Sequence, residues 1–464
     1  MARYVVAILT ALLFASSMTY AGTTPAERLG EAIQFQTISY QDRSQINLEE
    51  FRRFHEFLRA AYPRVFAQLE VQTVNDYSLL LRWPGSDPAL APILFTAHMD
   101  VVPIEPGTEG DWQHPPFAGV VADGRIYGRG SLDDKQGLLS ILEAAESLLE
   151  EGFVPPRTLV FAFGHDEEIS GKEGAGKLAE RMRELGWHFA WMVDEGGMLL
   201  SDNPLLPDKA MAIINVTEKA YLTLTLTATG EGGHSSRPPK VSTIGRLSAA
   251  LQRIENNPSA TRLVEPVTTM LETIAPHLEQ PEQFILGNLW LTGGVVADRM
   301  SDDPLMNSYV RTTTALTMFN AGVKENVLPQ RAEARVNFRL LPGDTPEAVV
   351  SRIRDLIDDP LIEISHDEWA EVPGVSDYQG SGYAVIAAAV AAVYPEAVVV
   401  PSLLVATTDT RHYLDVSDNQ YRFQGMMIES SQAGSIHGTN EYLGVQSYEN
   451  SIKVARQMMQ LGAR

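Results

Sequence analysis

Apolar positions recur at mixed three and four spacing through LEEFRRFHEFLRAAY, so residues 24–70 read as largely helical. LLLRW (79–83) and PILFTAHMDVV (92–102) are apolar and rich in strand formers. SLDDKQGLLSILEAAESLLEEG (131–152) predicts a helix with an acidic start and a glycine stop. TLVFAFG (158–164) predicts a strand, EGAGKLAERMRELG (173–186) a helix and FAWMVDEGG (189–197) a further strand. Strands alternating with helices imply βαβ units and a mostly parallel sheet.

Near residue 220 the pattern changes. YLTLTLTATG (221–230) and QRAEARVNFRL (330–340) alternate, as half-exposed antiparallel strands do. Helices are expected near 242–256, 266–278 and within LPGDTPEAVVSRIRDLI (341–357), with IEISHD (362–367) closing the unit. Buried α/β character returns in GYAVIAAAVAAVYP (382–395), AVVVPSLLV (397–405) and a last helix over 447–461. The reading is an α/β fold, a mostly parallel sheet flanked by helices, split over 22–218 and 371–464. An α+β domain is inserted at 219–370.

Residues 1–21, MARYVVAILTALLFASSMTYA, have a basic start, a short apolar run and small residues up to Ala21. They read as a cleavable signal peptide, implying a secreted or periplasmic protein with no membrane span after cleavage. The length of 464 residues suits two or three domains. A formal charge of −23 argues against broad nucleic-acid binding, since nothing would neutralise phosphates. Cysteine is absent, which excludes disulfides, thiolate zinc sites, iron–sulfur clusters and a thiol nucleophile.

The chemistry is suggested by position. PILFTAHMD, LVFAFGHDEE and FAWMVDEGG are apolar strands that each end in acids or histidine. Ligands of open parallel sheets bind outside the strands' carboxyl ends. His98, Asp100, Glu167, Glu168, Asp194 and Glu195 should therefore converge, with Asp133 and Asp134 brought in by the turn GRGSLDD. So many carboxylates repel unless something compensates them, and a divalent cation pair would do so. Without cysteine the ligands must be imidazole and carboxylate, which suits zinc or a similar metal.

The strings TAHMDVVP (96–103), GRGSLDDK (128–135), GHDEEISG (164–171), VDEGG (193–197), GEGGHSSRPP (230–239), NVLP (326–329) and SIHGTNE (435–441) occur in one order. In this order the chain resembles the two-zinc exopeptidases and deacylases that include aminoacylase, carboxypeptidase S and the secreted fatty-acyl-amino-acid hydrolases. The resemblance implies two zinc ions, with cobalt or manganese as substitutes. It implies that His98, Asp133 and Asp194 hold one ion and that Asp133 bridges to a second held by Glu168 and His437. Asp194 is preferred to Glu195 as the residue nearest the strand. Asp100 is expected to fix the His98 tautomer. Glu167 would be the general base acting on a metal-bridging water, and His234 would stabilise the oxyanion. Asn326 and Arg339 match positions expected to hold substrate, the arginine through a carboxylate, and Arg411 in TTDTRHY (407–413) is a second carboxylate candidate. His234 can come from a partner subunit in the family, so a homodimer through the inserted domain is implied. The substrate would be a small peptide or an N-acyl amino acid.

Other readings are weaker. GAGKLA (174–179) fits a dinucleotide fingerprint, but the acidic HDEEISGKE before it would repel a pyrophosphate. No G-x-S-x-G nucleophile elbow occurs. A non-catalytic metal-binding relative would be expected to lack Glu167 or a ligand, and none is missing. His55, His114, His165 and His412 read as structural.

Overall fold

The computed structural model describes residues 22–367 and 372–464. The signal-peptide reading concerns residues 1–21 and lies outside the described residues, as does the domain boundary at 371.

A ten-stranded sheet forms the centre of the larger unit. Its order runs 70–74, 78–83, 159–164, 93–98, 191–194, 420–422, 211–218, 199–200, 427–428, with strand 398–404 also pairing with 211–218. The middle is parallel. Strand Ile93–His98 pairs in parallel with Leu159–Gly164 and with Trp191–Asp194. Trp191–Asp194 in turn pairs in parallel with Gln420–Arg422. Antiparallel pairs occupy the edge at 70–83 and the 199–218 ladder.

The parallel strands are apolar on both faces because helices cover both. Strands 93–98 and 159–164 are buried at every position. On one face, helix Lys135–Glu150 buries Leu138, Leu142, Ala145 and Leu149 in one core with Val454, Ala455 and Met458 of helix Val445–Gly462. On the other, Ala175, Leu178 and Met182 of helix Ala175–Glu184 pack with Leu94 and Val160.

A four-stranded antiparallel sheet comes from residues 220–366, in the order 313–321, 331–340, 220–229, 362–366. Its alternating leucines (Leu222, Leu224, Leu226) meet Leu247, Leu251 and Ile254 of helix Thr243–Glu255, and Ile353 and Ile357 of helix Pro346–Ile357. Thr345 caps that last helix by accepting the Ala348 N–H. The helices over 265–310 do something the pattern did not reveal. Val267, Met270, Val296 and Met300 pack against Met211, Val398 and Val400, on the large sheet rather than the small one. Among the described residues no helix is long and apolar enough to cross a membrane.

Candidate metal centre

Side by side, strands 93–98, 159–164 and 191–194 deliver their carboxyl ends to one edge, with His98 in register with Gly164. Asp133 arrives there from the turn before helix 135–150, through a cis peptide bond to Asp134. His437 arrives from the loop ahead of strand Tyr442–Gly444, held at a positive φ of 60°.

The geometry centres on Asp133. Its Oδ1 lies 2.9 Å from His98 Nε2 and its Oδ2 lies 3.0 Å from His437 Nε2. Each imidazole has a second carboxylate beside the same nitrogen. Glu195 Oε1 is 3.4 Å from His98 Nε2, and Glu168 Oε2 is 3.1 Å from His437 Nε2. One carboxylate thus stands between two imidazole–carboxylate pairs.

Charge accounts for the protonation of these groups. Burial would raise the Asp133 carboxyl, but the His437 and His98 rings outweigh it and hold it below the usual range. Hydrogen bonds to Asp133 and Glu168 push His437 up to about 10. Burial opposes charge on His98, yet Glu195, Asp100 and Asp133 drive it well above an ordinary imidazole. Burial, then the Asp133 charge, lifts Glu195 to about 8. Burial, then Asp409 and Glu195, raises Glu167 well above its usual value. Glu168 Oε1 is buried with no hydrogen-bond partner. An unpaired buried carboxylate oxygen costs free energy, and a cation would relieve it. The donor set therefore fits hard or borderline divalent metals.

Supporting residues fix the donors. Asp100 is fully buried, with its carbonyl oxygen at 3.0 Å and its Oδ1 at 3.3 Å from His98 Nδ1. The same carboxylate accepts the N–H groups of Glu167 at 3.1 Å and Glu168 at 3.2 Å. It ties two strand ends together and orients both the ring and the glutamate pair. Two residues given no role from sequence act similarly. Glu441 Oε1 accepts the N–H groups of Gly130, Leu132 and Asp133 at 3.0, 2.7 and 3.3 Å. Arg129 donates to Glu441 Oε2 at 2.5 Å and to the carbonyls of His437 and Gly438 at 3.1 and 3.0 Å. This buried pair joins the Asp133 turn to the His437 loop. Both residues lie within motifs visible in the sequence, Arg129 in GRGSLDD and Glu441 at the end of SIHGTNE.

Other expected residues are placed unevenly. Asp194, expected as a ligand, belongs to neither group of donors that could share an ion, whereas Glu195 belongs to one with His98 and Asp134, the other being His98, Asp133 and Glu168. Strand Trp191–Asp194 ends at Asp194, and Glu195 is the first residue beyond it. Asp194 lines a small internal cavity with Thr96, Gln424 and Ser451, and its Oδ2 has no hydrogen-bond partner there. Arg411 reaches the cluster, with Nη2 at 3.9 Å from Glu167 Oε1. Arg339 stacks over the Tyr221 ring at 4.7 Å and donates to Thr407 Oγ1 at 3.4 Å. Burial depresses its guanidinium, and the Arg411 charge adds to that shift. His234 is exposed and pairs with Val327, while the Asn326 carbonyl accepts the Ser235 N–H. Those two are neighbours, but among the described residues no hydrogen bond or ion pair joins either to the cluster. His412 Nε2 is 2.8 Å from the Ser170 carbonyl, His165 Nδ1 is 2.7 Å from Ser78 Oγ and His55 Nε2 is 2.9 Å from the Tyr77 carbonyl. His114 packs on Tyr127 with ring centroids 4.5 Å apart.

Known proteins share both the sequence and the fold. The chain is 39% identical over 442 residues to the N-fatty-acyl-amino acid synthase/hydrolase PM20D1 of Bos taurus, covering 94% of this chain and 87% of that one. It is 37% identical over 434 residues to the probable carboxypeptidase S-like 2 of Dictyostelium discoideum, covering 92% and 83%. Among solved structures, the M20 family metallo-carboxypeptidase Sso-CP2 from Sulfolobus solfataricus matches with a TM-score of 0.69 at 18% identity, covering 95% of this chain and 99% of that one. Human carnosine dipeptidase 1 matches with a TM-score of 0.68 at 15% identity, covering 95% and 96%. Residues 94–461 match peptidase family M20/M25/M40, and the chain belongs to that family.

Proposed function

We propose that this amide-bond hydrolase of the M20 family releases a free amino acid from an N-acyl amino acid or from the C-terminal end of a small peptide, using two divalent cations, zinc first among them. The observation that carries the reading is Asp133, with an oxygen 2.9 Å from His98 and the other 3.0 Å from His437. His98, Asp133 and Glu195 would hold one ion, and Asp133, Glu168 and His437 the other. Glu195 replaces Asp194 in this assignment because its oxygen, not that of Asp194, stands at the His98 nitrogen. When bound, the ions supply Lewis-acid polarisation of the scissile carbonyl and acidify water.

The chain's own groups do the rest. Glu167 takes the proton of the attacking water and returns it to the departing amine. Asp100 keeps the His98 ring and the Glu167 backbone in place throughout. Arg411, beside Glu167, and Arg339 accept the free carboxylate of the amino-acid portion, since guanidinium groups match carboxylates bidentately. The names of the relatives support both N-acyl amino acids and peptides as substrates.

We further infer export through a leader at residues 1–21, and a lid and dimer role for residues 219–370. His234 would then reach an active site by closure or from a second subunit. Strand Thr313–Ala321 supports pairing between copies: it is an exposed edge, with Met318 51% and Phe319 44% accessible.

The test is a panel of dipeptides, N-acetyl amino acids and N-lauroyl amino acids, assayed before and after exhaustive chelation. Cleavage of at least one class that vanishes on chelation is the expected result. Full activity after chelation would reject the two-cation reading.

A further inference from the structure

Strand Met211–Glu218 of the large sheet and strand Ala220–Thr229 of the small sheet are separated by one residue, Lys219. The last residue of the first strand, Glu218, is buried and lies opposite Arg422, which is fully buried. Arg422 Nε donates to Glu218 Oε2 at 3.1 Å, Nη2 to Thr410 Oγ1 at 2.6 Å and Nη1 to the Gln420 carbonyl at 3.0 Å. Glu218 Oε2 also accepts the Thr408 N–H and the Thr408 hydroxyl at 3.0 Å each, and the Thr410 hydroxyl at 3.2 Å. One carboxylate oxygen therefore collects four donors. Three of them come from Thr408 and Thr410, around the turn Asp409–His412 that carries Arg411.

A buried ion pair is poor at adding stability, because desolvation consumes most of its attraction. It is good at fixing one arrangement, because removing either partner strands the other. Here the fixed object is a short turn that presents the half-buried Arg411 guanidinium, 3.9 Å from Glu167. The same turn meets the Glu167 turn at Gly171, where φ is +64° and a Cβ would come within 2.0 Å of Asp409 Oδ1. The two turns are thus packed without slack. Glu218 and Arg422 themselves make no hydrogen bond to His98, Asp133, Glu168, Glu195 or His437.

We propose that Glu218, with Arg422 as its counter-ion, is a positioning residue that sets the Arg411 guanidinium for the substrate carboxylate. The carboxylate recognition site is then built from the junction of the two sheets, so the small sheet's attachment point and the substrate anchor share one network. This inference rests on the reading of Arg411 as a substrate contact.

The experiment is a double-mutant cycle on the full chain with its metal, using the best substrate of the panel and its carboxamide counterpart, which lacks the negative charge. The variants are Glu218→Gln, Arg411→Ala and both together, with Thr410→Val as a milder lesion in case Glu218→Gln does not fold. Glu218→Gln is expected to lower kcat/KM for the carboxylate substrate by about 10–100-fold, mainly through KM, as loss of a charge-assisted contact does. Metal content should be unchanged, the carboxamide should be affected little, and the double variant should be no worse than Arg411→Ala by more than about twofold. Independent, multiplying effects of Glu218→Gln and Arg411→Ala would overturn the proposal, as would equal losses on both substrates. Unchanged activity in Arg411→Ala would remove the Arg411 reading, and this proposal with it, while leaving metal-dependent hydrolysis intact.

Discussion

At the scale of single residues, the proposed metal centre depends on which side chains face the shared Asp133. Glu195→Ala should lose about one equivalent of metal and Asp194→Asn should keep both, as counted by elemental analysis of the purified proteins. The reverse result would return Asp194 to the ligand set. Glu167→Gln should retain its metal and lose about 10²–10⁴ in kcat, because a general base acts in every turnover. Protonation gives a third expectation. His437 is raised from an ordinary imidazole to about 10, so it carries a proton through neutral pH in the metal-free protein. Metal must displace that proton, so binding should release protons and affinity should climb as pH rises towards 10. Calorimetry in buffers of different ionisation enthalpy measures the release; affinity independent of pH would contradict it. His98, Glu167 and Glu168 were legible in the sequence because loaded strand ends are a one-dimensional signal, Asp133 because its turn opens a helix, and His437 only through the resemblance carried by SIHGTNE. That Glu195 Oε1, and not an Asp194 oxygen, stands at the His98 nitrogen was not legible. It depends on which face of the sheet each carbon points to, and the strand's end obscures that alternation.

Elements decide how firmly those residues are held. The Asp133 turn and the His437 loop come from opposite ends of the chain and meet through Glu441 and Arg129. Glu441→Ala would strand three backbone N–H groups and a buried guanidinium. It should destabilise the protein by about 1–3 kcal/mol and weaken metal binding by about 10–100-fold. Thermal unfolding with and without added zinc separates the two effects; a variant with wild-type metal affinity would show that the link is not needed. The helices and strands that position the site were mostly readable from periodicity, notably the buried strands 93–98 and 159–164 and the helix at 135–150. Two classes of element were not. Strand Glu70–Val74 is a short, largely exposed edge and looks like the end of a helical region. Helix Leu289–Met300 carries a Gly293–Gly294 pair and an almost fully exposed Trp290, so its composition lacks both helix propensity and a clean apolar stripe.

For the whole molecule, the proposed lid role of residues 219–370 would bring the hairpin bearing His234 to the metal centre. The lid reading predicts that His234→Ala lowers kcat by about 10²–10³, as loss of an oxyanion donor does. If the histidine comes from a second subunit, mixing inactive His234→Ala with inactive Glu167→Gln should restore activity in hybrid dimers, because one site then has both groups. No recovery would assign His234 to its own chain's site or to none. Composition contributed at this scale by exclusion, since a chain without cysteine must build a metal site from imidazole and carboxylate. The proposed site would work only with cations held by Asp133 and its two imidazole–carboxylate pairs. The most direct measurement is a zinc titration of exhaustively chelated protein, following bound metal and hydrolysis together. The account predicts no activity at zero metal, and full activity restored at about two equivalents. Hydrolysis that persists in the chelated protein, or that saturates with no metal bound, would contradict it.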